Sequence, residues 1–290
     1  MSKKIFDILK FNFILSLKLV CSYFKKKVLK VNLSDEERAL IHHFNFIRDY
    51  QLTHISWRIT DSIIQTKDIG RLSLRKFPTS DYSVFKQVFV DNDYGQLAKL
   101  IKDKLPHGKI TMIDGGANVG FTSIAINNQL TQGYQLDVTL VEPFEENIKQ
   151  IRRNLVWHNI YRFSIIKGGI TNNSSFLTLD FDFRDSLEWS IQIKETTIPT
   201  DIKALEITDL MKMNKWQIID ILKLDIEGSE KELFSNKSYA LNFLKHVKLL
   251  AIEIHHEYIS EIEVLNILET AGFEMKRHGE LFIGFNNRLI

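Results

Sequence analysis

The stretch "MIDGGANVGFTS", Met112–Ser123, decides the fold of this chain. An apolar run from Lys109 ends in the acid Asp114, two glycines follow at once, and Gly120 precedes the helical pattern "FTSIAINNQL". A strand, a glycine turn and a helix in this order open a βαβ unit. Ligands of such sheets bind beyond the carboxyl ends of the strands, so this turn is the first candidate site.

The chain after this stretch continues to alternate strands and helices. Near-continuous apolar segments predict strands buried on both faces: "DVTLVEP", "RFSIIKGGI", "IDILKLDIEG" and "VKLLAIEIHH". One hairpin is predicted from "SSFLTLDFDF" and "WSIQIKETTIP", and an antiparallel pair from "FEMKRHGE" and "LFIGFN" at the end. We therefore expect an α/β fold, a doubly wound and mostly parallel sheet with an antiparallel C-terminal hairpin.

The chain before this alternation has a different pattern. We expect residues 1–90 to form a mainly helical, basic extension and residues 91–290 to form the α/β domain. Ser34 is followed by acids, with Glu37 three positions on, which is the pattern of a capping box and predicts the start of a helix.

The first 30 residues mix lysines with Leu, Ile and Phe. They contain one acid, Asp7, and eight lysines: Lys3, Lys4, Lys10, Lys18, Lys25, Lys26, Lys27 and Lys30. Lys10 and Lys18 interrupt the apolar run before it reaches the roughly 20 residues of a transmembrane helix. Two interpretations stay open, a helix on an anionic membrane surface or a helix packed on the rest of the chain.

Composition excludes several classes of protein. The net charge of +2 and the lack of basic or aromatic runs in the α/β part argue against nucleic acid as a partner. The single cysteine, Cys21, allows neither an internal disulfide nor a cysteine zinc site. We expect a cytoplasmic protein, with the inner membrane surface as the alternative location that the basic N-terminus suggests.

The glycine turn differs from the dinucleotide fingerprint G-x-G-x-x-G, since Ala117 stands where a spaced glycine belongs. The spacing that fits is acid-x-G-x-x-x-G, with Asp114, Gly116 and Gly120. An acid beside the turn repels a pyrophosphate and suits a cation. S-adenosylmethionine, which carries a sulfonium and an ammonium group but no phosphate, matches this charge.

The second strand ends in another acid, Glu142, which is placed to bind both hydroxyls of a ribose. Pro143 and Phe144 follow it and can provide an apolar face for adenine. The predicted cofactor-binding residues are Asp114, Gly115, Gly116, Asn118, Gly120, Glu142, Pro143 and Phe144.

Four segments in order, "MIDGGANVGFTS", "VTLVEP", "ILKLDIEGSEKELF" and "AIEIHHE", resemble the FkbM-type methyltransferases. The resemblance covers about Tyr94 to Phe285, and "LKLDIEGSE" is its specific part. It implies the class I Rossmann-like fold, S-adenosylmethionine as cofactor, and O-methylation of sugars and secondary metabolites, with a role in polysaccharide biosynthesis.

The carboxyl ends of the fourth and fifth core strands carry the candidate catalytic residues Asp225, Glu227 and His255. Methyl transfer to a hydroxyl needs a base, or a metal that lowers the pKa of the alcohol. We expect His255 as the base, or Asp225 as base or metal ligand. Asp225 and Glu253 can hold a divalent cation, while Glu227 can alternatively cap the following helix.

The sequence leaves two other functions open. One is a nucleotide-dependent oxidoreductase on the same sheet, and the other is a non-catalytic module that binds the cofactor and docks a partner. For the methyltransferase, the expected acceptor is a small molecule or a glycan, such as a lipid-linked saccharide, with Trp189 as a residue that can stack on a sugar ring or belong to the core.

Overall fold

The computed structural model describes residues 11–58, 61–130, 133–172, 176–180 and 192–290. Trp189 and the turn of the hairpin predicted around residue 185 lie outside these residues. The chain divides into two compact units, residues 1–84 and residues 85–290. This division falls a few residues before the boundary expected at residue 90.

The first unit begins with two helices that share an apolar cluster. Helix α1 spans Phe13–Phe24 and continues as a π-helical turn over Lys25–Leu29, and α2 spans Asp35–Asp49. Phe11, which precedes α1, and side chains of both helices form the cluster: Phe11, Leu15, Leu19, Leu40, Ile41 and Phe44. No helix of the described residues is long and apolar enough to cross a membrane.

The predicted capping box of α2 is present. The amide of Glu37 donates to the Ser34 hydroxyl at 3.3 Å, and the Ser34 amide donates to the Glu37 carboxylate at 2.9 Å. Two of the amide groups that a helix start leaves unpaired are thereby satisfied.

The first unit also contains a three-stranded antiparallel sheet that the sequence analysis did not predict. Its strands are β1 (Thr53–Trp57), β2 (Asp61–Thr66) and β3 (Gly70–Arg75). Strand β2 buries polar side chains with apolar ones, and the Ser73 hydroxyl donates to the buried Asp61 carboxylate at 2.5 Å. Because polar residues are buried here, hydropathy alternation did not reveal the strands.

The chain continues through α3 (Asp81–Phe85) and a π-helical turn (Lys86–Val90) into the second unit. The helices of that unit are α4 (Gly95–Lys104), α5 (Phe121–Gln129), α6 (Glu145–Leu155), α7 (Ile207–Asn214), α8 (Glu230–Phe234), α9 (Lys237–Leu244) and α10 (Glu261–Ala271). Its strands are β4 (Gly108–Gly115), β5 (Tyr134–Glu142), β6 (Arg162–Ile170), β7 (Phe176–Asp180), β8 (Gln192–Thr196), β9 (Ile202–Leu205), β10 (Ile219–Leu224), β11 (Val247–Glu253), β12 (Phe273–His278) and β13 (Leu281–Asn286).

The ten strands form one sheet in the order β12-β13-β11-β10-β4-β5-β6-β9-β7-β8. Strands β6, β5, β4, β10 and β11 are parallel neighbours, and the hairpin β12-β13 joins β11 in antiparallel orientation. The expected α/β sheet and its C-terminal hairpin are confirmed. Strands β7 and β8 pair in antiparallel orientation, as predicted for the other hairpin.

The sheet reverses its direction of winding between β4 and β10, which are hydrogen-bonded neighbours. From β4 the chain proceeds outward through β5 and β6, then returns to the other side of β4 for β10 and β11. Gly115 pairs with Leu224, and Leu224 pairs with Ile252. The residues that follow these three strands therefore meet at one edge, where doubly wound sheets bind ligands.

Replacing the cap of α2 tests this local account. Ser34→Ala removes the hydroxyl that accepts the Glu37 amide, so we expect the amides of the first turn of α2 to exchange hydrogen faster, by a local destabilisation of about 1 kcal/mol. Ser260→Ala is a matched control, because Ser260 precedes α10 without a side-chain cap bond. If the amides of the first turn of α2 exchanged equally fast in Ser34→Ala and Ser260→Ala, the assignment of Ser34 as the cap of α2 would be contradicted.

Candidate functional site

The glycine loop after β4 contacts the chain after β10. Gly116 has a φ of +69°, and a Cβ atom at this position would lie 1.7 Å from the carbonyl oxygen of Asp225. Asn118 also has a positive φ, 49°, which is uncommon for a residue other than glycine. The bare backbone at Gly116 thus lets two strand ends approach, and the strain at Asn118 marks a constrained loop.

A buried lysine on β10 holds this loop. The ammonium group of Lys223 donates to the carbonyl oxygens of Gly115 at 3.0 Å and Gly116 at 2.6 Å. It lies 3.5 Å from an Asp114 oxygen and 3.6 Å from an Asp225 oxygen. Burial alone would lower the pKa of Lys223, but these carboxylates raise it above its ordinary value. Lys223 therefore stays charged.

Lys223 is not among the residues predicted from the sequence, although one lysine inside the apolar strand "IDILKL" is a visible signal. Asp114 was predicted to contact the ligand. In the structure the Asp114 side chain is fully buried, accepts a hydrogen bond from the Ser123 hydroxyl at 2.6 Å and faces Lys223. The Asp114 side chain therefore lies on the buried side of the loop and not on the surface that a ligand touches.

A cleft opens at the same edge of the sheet, with about 540 Å³ of empty space that includes open solvent. Six predicted site residues line it: Gly116, Asn118, Glu142, Pro143, Asp225 and Glu227. Six others are outside its lining: Asp114, Gly115, Gly120, Phe144, Glu253 and His255.

Glu142 lies at the end of β5, and hydrogen-bond donors of the protein take most acceptor positions of its carboxylate. Its carboxylate accepts the amide of Asn118 at 2.8 Å, the amide of Phe144 at 3.0 Å and the side-chain amide of Asn147 at 3.1 Å. An ionised carboxylate has about four acceptor positions, so about one is left for a ligand hydroxyl. Burial raises the pKa of Glu142 to about 7, although these hydrogen bonds oppose the rise.

Two buried acceptor atoms of the cleft residues have no hydrogen-bond partner among the described residues. They are Oδ1 of Asn118 and Oε2 of Glu227, the latter 3.5 Å from Nε2 of His255. An unpaired buried acceptor is costly, so such atoms indicate a donor that comes from a ligand. The cleft therefore suits a molecule with N–H or O–H groups.

Behind the cleft, three acidic side chains surround His255. Its Nδ1 lies 3.2 Å from Glu230, and its Nε2 lies 3.5 Å from Glu227 and 3.7 Å from Glu253. The structure thus brings Glu227, Glu253 and His255 together, as expected for adjacent strand ends. The His255 side chain is only 5% exposed, however, and Glu227 lies between it and the cleft.

Glu230 is the residue of this group that the sequence analysis missed. Its fully buried carboxylate accepts the amides of Ile226 at 3.0 Å and Gly228 at 2.9 Å and contacts His255. Glu230, not Glu227, therefore satisfies the free amides before α8. Glu227 has a φ of +52° instead, and its side chain faces the cleft and His255.

The pKa values of Glu227, Glu253 and His255 lie well above their ordinary values. Burial, reinforced by the charge of Asp225, raises the pKa values of Glu227 and Glu253 to about 8. Burial would lower the pKa of His255, but the close Glu230 carboxylate and the other surrounding carboxylates raise it to about 10. At neutral pH His255 is thus an imidazolium held between acids.

Three of these side chains have the geometry of a metal site. Ligand atoms of Asp225, Glu253 and His255 all lie within 4.8 Å of one another. Asp225 and Glu253 are the pair predicted from the sequence, and His255 adds a nitrogen ligand. A cation there would compete with Lys223 for Asp225 and would require His255 to lose its proton.

The raised pKa values predict how stability depends on pH. Glu227 and Glu253 bind protons up to about pH 8 when folded and only up to about pH 4.5 when unfolded, so their contribution is lost as pH rises through this window. His255 extends the loss from about pH 6.5 to about pH 10. We expect the free energy of unfolding, measured with urea, to decrease from pH 5 to pH 9.

The variant Glu253→Gln should flatten this decrease below pH 8, because it removes one of the groups that titrate. Glu263→Gln, on the exposed surface of α10, is the control and should leave the slope unchanged. A stability that rises between pH 5 and pH 9 would contradict the assigned protonation states.

Glu230 can be tested as the positioning residue of His255. The variant Glu230→Gln removes the negative charge beside Nδ1 but keeps the shape of the side chain, so we expect the pKa of His255, followed by NMR, to fall from about 10 toward 6.5. The His255 resonance is identified by its loss in His255→Asn. Glu263→Gln should leave this pKa in place, and an unchanged pKa in Glu230→Gln would refute the role.

Comparison with known proteins identifies the family. The model of the methyltransferase FkbM domain matches residues 114–275, more than half of the chain. No curated protein matches the chain.

Several solved structures are similar at low identity. The methyltransferase FkbM from Methylobacillus flagellatus KT is 16% identical over 71% of this chain and 53% of its own, with a TM-score of 0.42. The METTL16 MTase domain is 12% identical over 88% and 80%, with a TM-score of 0.43, and a SAM-dependent methyltransferase from Aquifex aeolicus is 16% identical over 65% and 87%, with a TM-score of 0.34. The chain thus matches about half the length of the Methylobacillus protein.

The domain match includes the glycine loop after β4, Glu142 at the end of β5, and the ends of β10 and β11. These are the elements that surround the cleft, and the doubly wound sheet with its antiparallel hairpin is the class I methyltransferase fold. The chain therefore belongs to the FkbM family of S-adenosylmethionine-dependent methyltransferases.

Proposed function

We propose that this protein transfers a methyl group to a hydroxyl of a sugar, a glycan or a lipid-linked saccharide. The observation that supports it most is the cleft at the switch point of the sheet, in which Asn118 Oδ1 lacks a hydrogen-bond donor and Glu227 Oε2 has only its ion-pair contact with His255. The cleft combines these acceptors with a carboxylate, Asp225, that can take a proton from a hydroxyl.

The residues that line the cleft suit S-adenosylmethionine chemically. Gly116 presents backbone without a side chain, and Asn118 and Glu227 offer acceptors to an ammonium group or a hydroxyl. The remaining acceptor position of Glu142 suits a ribose hydroxyl. Apolar side chains for adenine come from Val141, Pro143, Ile170 and Ile193. When bound, this cofactor supplies an electrophilic methyl group.

We assign the base to Asp225 rather than His255. The Asp225 side chain lines the cleft and is 28% exposed, so it can meet an acceptor. His255 is buried behind Glu227 and is already protonated at neutral pH, so it has no free acceptor position for a proton. In this assignment the hydroxyl proton moves to the Asp225 carboxylate, and Lys223 remains a fixed cation on its buried side.

A divalent cation at Asp225, Glu253 and His255 is the alternative way to activate the hydroxyl. It would lower the pKa of the alcohol and replace the proton of His255 as the balancing charge. The existing ion pair of Asp225 with Lys223 makes the metal-free arrangement the simpler one. The same charge pattern disfavours the oxidoreductase, because a pyrophosphate would face buried acids.

The deciding experiment is calorimetric titration with S-adenosylhomocysteine, the product form of the cofactor. We expect micromolar binding by the native protein and binding at least about tenfold weaker in Glu142→Ala, which removes a charged acceptor from the cleft. Glu146→Ala, an exposed acid on the adjacent helix α6, is the control and should bind normally.

Absence of binding by the folded native protein would overturn the cofactor assignment. Tight binding of NAD in its place would support the oxidoreductase. Binding without turnover on any hydroxyl acceptor would favour the docking module.

A further inference from the structure

Helix α1 has two apolar faces, and its own unit covers one of them. Leu15 and Leu19 are buried in the cluster shared with α2. The opposite face presents Phe13, Leu17, Val20 and Phe24, and Val28 extends it along the π-helical turn. Phe13 is 82% exposed and Phe24 53%.

The exposed side chains form a continuous stripe. Their spacing of four, three and four residues places positions 13, 17, 20 and 24 on one side of the helix. Exposed large apolar residues scattered singly need no explanation, but a contiguous row of them marks an interaction surface. We call this row, with Val28, the apolar stripe.

Lysines accompany the apolar stripe. Lys18 lies 3.5 Å from Glu36, and Lys25 lies 2.7 Å from Glu37. Lys26, Lys27 and Lys30 follow, are exposed, and have no carboxylate within ion-pair distance among the described residues. This end of the helix therefore carries positive charge that the described part of the protein does not balance.

We propose that the apolar stripe and its lysines bind the surface of a membrane that contains anionic lipids. An exposed apolar row next to unbalanced lysines has the two properties that hold a helix in the plane of such a surface. The apolar side chains enter the boundary between head groups and acyl chains, and the ammonium groups contact lipid phosphates. The helix lies along the membrane, because its 12 residues span roughly 18 Å, less than the hydrocarbon thickness of roughly 30 Å.

The charge pattern favours a membrane over a second copy of this chain. Two identical stripes facing each other would bring their lysines together, and like charges oppose association. Nucleic acid would engage the lysines but leave the apolar row in water. The inference does not depend on the proposed function, although attachment to a membrane favours a lipid-linked acceptor among the acceptors proposed above.

The test is flotation of the full-length protein with two kinds of vesicle. One is pure phosphatidylcholine, and the other is an equal mixture of phosphatidylcholine and phosphatidylglycerol. We expect binding to the anionic vesicles, weaker binding to the neutral ones, and release from the anionic vesicles as salt rises.

Two double variants, each with a matched double control, separate the apolar and the charged contributions to membrane binding. Leu17→Gln with Phe24→Gln should weaken binding to anionic vesicles at least about tenfold, whereas Val156→Gln with Ile262→Gln, exposed in the other unit, should not. Lys26→Gln with Lys27→Gln should weaken it about 30-fold. Lys99→Gln with Lys102→Gln removes the same charge from α4 and should have little effect.

Each other outcome overturns the inference. Failure of the native protein to float, or equal binding to both vesicles, excludes an anionic membrane as the partner. A dimer in solution that Leu17→Gln with Phe24→Gln dissociates, without vesicle binding, would assign the apolar stripe to a second copy. Titration with S-adenosylhomocysteine is independent of these results, so failure here and failure of the proposed function are distinguishable.

Discussion

The ammonium group of Lys223 is the interaction on which the cleft depends. It joins the carbonyl oxygens of Gly115 and Gly116, at the end of β4, to the acids Asp114 and Asp225. A buried cation is unfavourable unless it is paired and hydrogen-bonded, and Lys223 meets both conditions. One side chain thus connects the two strands between which the sheet changes direction and fixes the loop that faces the cleft.

Buried carboxylates hold the other parts of the site by binding backbone amides of the loops. Glu142 binds the loop amide of Asn118, and Glu230 binds the amides before α8 together with His255. These buried acids take up backbone donors and so shape the two loops at the cleft. The acceptor atoms without a hydrogen bond, Asn118 Oδ1 and Glu227 Oε2, are buried atoms of residues that line the cleft. These acceptors suit the cleft to a cationic, hydroxyl-bearing molecule.

The sequence predicted residues at strand ends better than it predicted their roles. Asp225 and Glu142 were placed at the correct ends because the carboxyl ends of parallel strands share one edge. The direction of Asp114 was not predictable, since an acid before a glycine turn can face a ligand or the interior with equal local geometry. Glu230 was overlooked because it lies in an ordinary charged helix start, and its contact with His255 joins residues 25 positions apart.

The amino-acid sequence by itself determined the α/β class, the hairpin at the C-terminus, the start of α2 and the position of the cleft, because local periodicity, turn residues and strand order encode them. Only the tertiary structure decided which acids are buried, which groups share protons, and that α1 turns an apolar stripe outward. Burial and proton affinity depend on neighbours distant in sequence, and a helix pattern with apolar residues on two faces does not say which face is covered. The three-stranded sheet of the first unit belongs to the same category, since its buried polar pairs form only when the strands meet.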